Sequence, residues 1–307
     1  MSFHSFLDRA VLSASALTGD SMKFFNRNVE SPGLKEILGS AEIASPLSLD
    51  SGEHDTAVRC GGRAVSMRYR IMSEGRRGSD ILIFHHGSGD IPYYKRIKKI
   101  IRADSSGVLG DLMIIATDSP SNRSGREYLH AAGGLDSFSK LLAFSAVLME
   151  AVVSVCRTER PGRIIVSGIS LGGWIANIHH TYFNSADIYR PVFAGAAPDA
   201  LFLESEYRKM TAASALENPR KITEALNFES DFRKRGGENV FPLMAVHDQY
   251  IRYDRQSGIY SRDNISLIEA GHVSGSAKYS LIAAFLGGGG VPAAASGKNS
   301  KFQKLSK

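Results

Sequence analysis

The sequence contains few cysteines and no long apolar run, and each shortage excludes a class of protein. Cys60 and Cys156 are the only cysteines among 307 residues. Without metal-type spacing they form neither a disulfide framework nor a metal site, and we interpret both as buried free thiols in a reducing compartment. No uninterrupted apolar run reaches the roughly 18 residues that a membrane-spanning helix needs, so the sequence predicts no membrane span.

The N-terminal region lacks the pattern of a secretory signal. Asp8 and Arg9 precede a serine-broken apolar run, AVLSASAL, whereas a secretory signal has a basic start and a cleaner apolar block. We therefore expect a cytoplasmic location. Phe3, Leu7 and Ala10 recur at helical spacing instead, which predicts a helix that packs on the domain or on a surface.

The body of the chain lacks a large excess of either charge. The formal net charge is +6, but the last 21 residues, 287–307, hold Lys298, Lys301, Lys304 and Lys307 and no acid. Removing these four lysines from the 37 basic residues leaves 33 against 31 acidic residues. Because a nucleic-acid binder carries its charge on a folded face, we predict no nucleic-acid partner.

Short apolar runs alternate with helix-length segments along the chain. Strands that are buried on both faces and alternate with helices indicate an α/β protein with a mostly parallel central sheet, covered by helices on both faces. In such sheets, ligands bind at the carboxyl ends of the strands. The predicted strands are GRAVSMRYRI (62–71), DILIFHHGSGD (80–90), DLMIIATDSP (111–120), RIIVSGIS, YRPVFAGAAP, FPLMAVHD and NISLIEAGH.

The same reading divides the chain into a core and its additions. Residues 60–286 form the predicted α/β domain, preceded by an N-terminal helical extension over residues 1–59 that packs on it. The composition of the charged segment 199–240 favours helices. It predicts a small helical insertion over the edge of the sheet where ligands bind. The tail, 287–307, is rich in Gly, Ala, Ser and Lys and is predicted to be disordered.

Ser170 follows a β-branched run in the pattern G-x-S-x-G. Gly168 and Gly172 supply the small neighbours that a sharp strand-to-helix turn needs, and Leu171 begins the predicted helix. A serine at such a turn is a candidate nucleophile, provided that a base takes its proton. The alternative is a glycine turn with a solvent-facing serine.

The candidate base is His272, which follows the last predicted strand and a glycine. The acid should lie between serine and histidine in this architecture. Asp248 comes directly after a strand and is the first choice. Asp254, as a turn or ion-pair residue, and Asp199, after the preceding strand, remain alternatives.

Two backbone N–H groups are needed to hold a developing oxyanion. Leu171 offers one, directly after the nucleophile, and Ser88 in HHGSGD offers the other because its flanking glycines let the backbone turn inward. A glycine-rich loop can also hold phosphate, but the G-x-G-x-x-G and G-x-x-x-x-G-K-[ST] spacings are absent.

A basic helix is predicted directly after this loop. Lys95, Lys98, Lys99 and Arg102 share one helical face, opposite a face of isoleucines. Such a face is typical of a solvated helix that packs on a sheet. Docking to an anionic membrane surface or to an acidic substrate group is the functional alternative.

Taken together, these stretches resemble the α/β-hydrolase superfamily over roughly residues 60–286. Within it, the chain is most similar to the branch named for abhydrolase-domain-containing protein 18, through GSGDIPYYKR, GISLGG, DQYIR, AGHVSG and the opening LDRAVLSASALTGDSMKFF. The resemblance implies Ser170, Asp248 and His272 as a catalytic triad. In the strand numbering of that fold, the helical insertion follows the sixth strand.

We therefore expect a serine hydrolase that cleaves an ester or thioester through an acyl-enzyme, with a small-molecule or lipid acyl ester as substrate. The expected chemistry needs no metal and no organic cofactor. Two alternatives stay open: an inactive hydrolase fold kept as a binding module, and an acyltransferase that uses the same triad. The sequence does not predict the oligomeric state.

Overall fold

The computed structural model describes residues 2–16, 19 and 22–289, which fold around one nine-stranded sheet. Its strands are β1 (Ala41–Ile43), β2 (Gly52–Cys60), β3 (Arg63–Glu74), β4 (Ile81–His85), β5 (Met113–Thr117), β6 (Ile164–Ile169), β7 (Ile188–Val192), β8 (Leu243–Ala245) and β9 (Ser266–Ile268).

Helices precede, connect and follow the strands. They are α1 (Phe3–Ala16), α2 (Leu34–Gly39), α3 (Lys95–Arg102), α4 (Val108–Asp111), α5 (Gly125–Ala132), α6 (Leu135–Glu159), α7 (Leu171–Tyr182), α8 (Pro198–Leu203), α9 (Ala213–Leu216), α10 (Pro219–Leu226), α11 (Glu229–Arg235), α12 (Tyr253–Gln256), α13 (His272–Ser276) and α14 (Tyr279–Leu286). Short 3₁₀ turns at Glu206–Met210, Ser257–Ile259 and Arg262–Asn264 also lie in the connections.

The strand order places a functional crevice beside β4. The order is β1-β2-β3-β5-β4-β6-β7-β8-β9, and every pairing from β5 through β4 to β9 is parallel. From β4 the chain moves to β5 on one side and then crosses to β6 on the other. Open α/β sheets bind ligands at such a reversal, beyond the carboxyl ends of the two strands.

Alternate residues of β4 enter two separate apolar cores, one on each face of the sheet. Ile81 and Ile83 pack into the core that holds α6 and α7, whereas Leu82 and Phe84 pack into the core of α3, α4 and α14. A strand buried on both faces requires a continuous apolar run, which β4, β5 and β6 supply. The mostly parallel sheet with helices on both faces therefore agrees with the predicted fold class.

Helix α6 is the longest helix in the described part of the chain, and it lies in the first of these cores. Its length and composition alone would suffice to cross a membrane, but 72% of its most apolar window is buried inside the protein. Cys156 on this helix is buried, and burial raises the pKa of its thiol to about 12. Cys60 on β2 is only half-buried, so the prediction of two buried thiols is wrong for that residue.

The N-terminal region contains strands where a helical extension was expected over residues 1–59. Strand β2 pairs antiparallel with β3 from Gly52↔Ile71 to Cys60↔Arg63, and β1 pairs with β2. Gly61 and Gly62 close this hairpin with φ values of 54° and 76°, a backbone that favours glycine. The predicted boundary at residue 60 therefore divides one hairpin, and among the described residues before it α1 and α2 are the α-helices.

The predicted insertion is a group of short helices, α8 to α11, between β7 and β8. It follows β7, the seventh strand of the chain, because β1 and β2 both precede the first strand predicted from sequence. The prediction placed the insertion after the sixth strand in the numbering of the resembling fold. The predicted disordered tail, 287–307, lies outside the described residues from residue 290 onward.

The start of α7 lies in backbone contact with the end of β4, and Gly172 permits this contact. A Cβ at Gly172 would meet the His85 carbonyl oxygen at 2.2 Å, so a side chain requires the helix to move. We expect Gly172→Ala to lower the free energy of unfolding by about 1–3 kcal/mol, measured by chemical denaturation. The control is Gly110→Ala, where a Cβ meets nothing within 4 Å. Equal stability of the two variants would contradict this packing argument.

Candidate active site

Ser170 occupies the sharp turn between β6 and α7. Its backbone has φ 55° and ψ −112°, a conformation that is costly for any residue other than glycine. The turn is held because the Ser170 N–H donates to the Val192 carbonyl at 2.8 Å, and the helix continues with Trp174 N–H donating to Ser170 O at 3.1 Å. The strained backbone of Ser170 thus places its hydroxyl at the carboxyl edge of the sheet.

His272, the first residue of α13, lies within hydrogen-bond distance of this hydroxyl. The Ser170 Oγ lies 3.0 Å from His272 Nε2, and His272 Nδ1 lies 2.7 Å from Asp248 Oδ2. If Nδ1–H donates to the carboxylate, Nε2 is left as an acceptor for the serine proton. The three residues predicted from sequence are therefore brought into one continuous chain of hydrogen bonds.

Asp248 is buried, and the backbone around it holds its carboxyl group in place. It is 3% exposed, and its Oδ1 accepts the N–H groups of Tyr250 and Ile251, both at 2.8 Å. Because one oxygen binds these two donors, the other is left to face His272. A carboxylate with two backbone donors and an imidazole partner keeps the ring in a single orientation.

The two alternative acids lie elsewhere. Asp254 forms an exposed ion pair with Arg252, and this contact holds the pKa of its carboxyl below the usual value. Asp199 is buried beside Asn227, whose amide donates to it at 2.9 Å, and burial raises the pKa of its carboxyl. Neither carboxylate has a hydrogen bond to His272 among the described residues.

The other histidines that the sequence analysis did not choose as the base lie in different surroundings. Burial lowers the pKa of His85 to about 3 and that of His180 to about 4, so both imidazoles are neutral at physiological pH. His179 bonds Glu150 at 2.9 Å, and His247 bonds Glu269 at the same distance. His272 is thus the histidine that reaches Ser170.

Two backbone N–H groups beside Ser170 match the predicted oxyanion site. Within the described residues, neither the Ser88 N–H nor the Leu171 N–H has an intramolecular acceptor. Leu171 is the first residue of α7, where the helix dipole also favours negative charge. Donors that are fixed before a reaction can stabilise charge that develops in the transition state.

The loop that carries Ser88 is held by residues that the sequence analysis did not identify. Asp90 Oδ2 accepts the Gly87 N–H at 3.0 Å, and the Arg96 guanidinium grips both oxygens of Asp90 at 2.7 and 2.9 Å. The Tyr128 hydroxyl donates to Ser88 Oγ at 2.9 Å, and burial raises the pKa of this tyrosine to about 12, so it remains a donor. Arg96 belongs to the basic segment KRIKKIIR, for which the sequence analysis predicted only a basic helical face.

A cavity of about 470 Å³ opens beside Ser170, His272 and Ser88. Its wall is mainly apolar and aromatic, and it combines residues of α1, the insertion and the core helices. Prominent among the lining residues are Leu12, Phe24, Phe138, Trp174, Phe202 and Met210. The shape and chemistry suit an apolar group attached to a reactive carbonyl. The described residues contain no group of three or more His, Cys, Asp or Glu side chains placed to hold a metal ion.

Comparison with known proteins identifies the class of fold. No protein-family profile matches the chain, and no curated protein matches it either. Among solved structures, it is similar to an acylaminoacyl peptidase from Pyrococcus horikoshii, with TM-score 0.52 and 12% identity over 76% of this chain and 39% of that one. It is also similar to acetyl xylan esterase 1 from a Thermoanaerobacterium species, with TM-score 0.51 and 12% identity over 86% and 96% of the two chains.

These likenesses, together with the sheet order and the turn at Ser170, show that the chain has the α/β-hydrolase fold, as predicted. The chain spans 39% of the length of the peptidase and nearly all of the esterase. At 12% identity the likeness establishes the fold, and the chemistry must be argued from the residues of the site.

The position of Asp248 predicts how strongly Ser170 reacts with an electrophile. We expect Asp248→Asn to slow phosphonylation of Ser170 by about 10³- to 10⁴-fold, because the amide favours the wrong imidazole tautomer. The measurement is the labelling rate with a fluorophosphonate probe. Asp254→Asn is the matched control and should label like wild type. An equal loss in both variants would remove Asp248 from the acid role.

Proposed function

We propose that the protein is a serine hydrolase that cleaves an ester or thioester of an apolar acyl group through an acyl-enzyme. The observation that carries this proposal is the hydrogen-bonded chain Ser170–His272–Asp248, whose serine and histidine line the apolar cavity. The esterase and peptidase among the fold neighbours support the general class of reaction.

The proposed reaction begins when His272 Nε2 takes the proton of Ser170 and Ser170 Oγ attacks the acyl carbonyl carbon. Asp248 stabilises the imidazolium that forms, and the N–H groups of Ser88 and Leu171 stabilise the oxyanion. The intermediate collapses, His272 returns the proton to the departing alcohol or thiol, and the acyl group remains on Ser170. Water, activated by the same histidine, then releases the acid.

The substrate side of the proposal rests on the lining of the cavity. Phe24, Phe138, Phe202 and Met210 bury an apolar surface directly beside the serine, which favours an acyl chain over a charged or heavily hydrated group. Transfer of the acyl group to an alcohol or amine uses the same steps, with the acceptor in place of water. The resemblance to the abhydrolase-domain-containing protein 18 branch is likewise a proposal, as is a cytoplasmic location.

A panel of p-nitrophenyl esters with increasing acyl length tests this function. We expect turnover by wild type, with kcat/KM rising from acetate to a medium acyl chain as the cavity fills. Ser170→Ala should lose turnover by at least about 10³-fold, whereas Ser154→Ala, an exposed serine on α6, should match wild type. If wild type neither turns over an ester nor reacts with the probe, the hydrolase proposal fails and the inactive binding module is favoured.

The same assay separates hydrolysis from acyl transfer, because faster product formation with added alcohols would favour acyl transfer.

We also propose that the protein contacts an anionic membrane surface peripherally. Helix α1 exposes Phe3 by 72% and Phe6 by 59%, while its Val11 lines the cavity. In α3, the exposed Lys99 lies over the ring of Tyr279, which also lines the cavity, at 5.4 Å. Exposed aromatic residues together with exposed lysines are typical of an interfacial surface.

Vesicle sedimentation tests this contact. We expect binding to phosphatidylcholine vesicles containing phosphatidylglycerol, weakened by high salt because the exposed lysines contribute electrostatically. Phe3→Ser with Phe6→Ser should lower the bound fraction, and so should Lys98→Glu with Lys99→Glu. The control is Lys221→Glu, since Lys221 lies on α10 and pairs with Glu30. No binding, or equal binding by all variants, would contradict a membrane contact at this face.

A further inference from the structure

The N-terminal helix carries one fully buried carboxylate, that of Asp8. Its oxygens accept three backbone N–H groups, from Gln249 at 3.1 Å, His272 at 2.8 Å and Val273 at 3.0 Å. Gln249 directly follows the acid of the triad, and His272 is its base. A single side chain from the start of the sequence therefore binds both loops that supply the triad.

The two oxygens of the Asp8 carboxylate accept different backbone N–H groups. Oδ2 is shared by the Gln249 N–H and the His272 N–H, so the acid loop and the base loop meet at one atom. Oδ1 takes the Val273 N–H. These donors need an acceptor oxygen at this point, because a buried N–H group without an acceptor is costly.

Gly271 shows how closely the carboxylate is fitted against the base loop. A Cβ at Gly271 would lie 2.7 Å from Asp8 Oδ2 and 2.9 Å from the His4 carbonyl oxygen. Gly271 has φ −94°, so the backbone itself would accept a side chain. The position is therefore restricted by the approach of α1 rather than by backbone strain.

Tyr250 makes a second connection between α1 and the triad. Its N–H donates to Asp248, its ring stacks on the His272 imidazole at 4.8 Å, and its hydroxyl donates to the Asp8 carbonyl oxygen at 3.2 Å. The acid, the base and α1 are thus joined through both the side chain and the main chain of Asp8.

We propose that Asp8 is a positioning residue for the triad: by binding the backbone of both loops, it sets the distance and orientation between Asp248 and His272. This inference rests on the proposed function, since it assigns Asp8 a role in the same reaction. Asp8 does not touch the reacting atoms. It acts through the backbone of His272 and Gln249, which places Nδ1 at hydrogen-bond distance from the carboxylate.

Asp8→Asn is the central variant, because it keeps the shape of the side chain and has only one acceptor oxygen. Either orientation of the amide turns an NH₂ group toward a backbone N–H that was bound. We expect kcat to fall about 10- to 100-fold with KM within about twofold, because a displacement of about 1 Å in a catalytic group has this scale of effect.

Two further variants separate positioning from simple anchoring of α1. Arg9→Gln is the matched control, because Arg9 ties the same helix to Glu206 at 3.1 Å and to the Gln249 side chain at 3.3 Å. Gly271→Ala keeps the Asp8 side chain but brings a Cβ into close contact with its Oδ2 atom. A positioning role predicts a lower kcat for Gly271→Ala and a wild-type kcat for Arg9→Gln, with thermal unfolding recorded for all three.

A structural readout keeps this inference separate from the proposed function. The proton between His272 Nδ1 and Asp248 should give a strongly deshielded ¹H resonance in wild type, which Asp8→Asn and Gly271→Ala shift upfield or broaden. If wild type turns over no ester, the proposed function fails, and this resonance still decides whether Asp8 positions the pair. A wild-type resonance and a wild-type kcat in Asp8→Asn, or equal loss of kcat in Arg9→Gln, would overturn the inference.

Discussion

The close approach of helix α7 to the end of strand β4 is the constraint on which the site depends. Gly168 and Gly172 face each other across the turn, and Gly172 lies against the carbonyl of His85. This contact allows the Ser170 hydroxyl to lie beside the loop that follows β4, at the point where the strand order reverses. The same contact brings the loop that carries Ser88 next to the start of α7, where Leu171 lies, so one backbone contact places both candidate oxyanion donors near the candidate nucleophile.

Backbone dipoles stabilise the buried carboxylates at the other end of the site. Asp248 accepts the N–H groups of Tyr250 and Ile251, and Asp8 accepts those of Gln249, His272 and Val273. Removing a carboxylate from water is expensive unless such bonds replace its hydration. Donors fixed by the fold provide that replacement without a flexible counterion, and they fix the position of each carboxylate at the same time. The imidazole of His272 lies between these two rigid loops and Ser170, where small movements of either loop change its geometry.

The sequence predicted much of the site because its signals are local. Ser170, Asp248 and His272 each follow an apolar strand, and parallel strands bring their carboxyl ends to one edge. The first hairpin was missed although Gly61 and Gly62 stand between two alternating runs, a signal typical of a two-residue turn. The contacts of Asp8 could not be predicted, because its partners lie 241 to 265 positions later in the sequence. Helical periodicity carries no information about such distant partners. The ion pair between Arg96 and Asp90 was not predicted, because the basic residues of α3 are typical of a solvated helical face.

The N-terminal helix is therefore part of the site as well as an addition to the fold. Val11 and Leu12 form a wall of the cavity, while Asp8, one turn earlier on the same helix, meets the loops of Asp248 and His272. A rigid helix couples these two functions, because a displacement of α1 moves the cavity wall and the backbone of the triad together. The contacts join residues from opposite ends of the chain, so they form only when the whole domain has folded. The geometry of the candidate triad is in this way conditional on the docking of a segment that precedes the entire sheet.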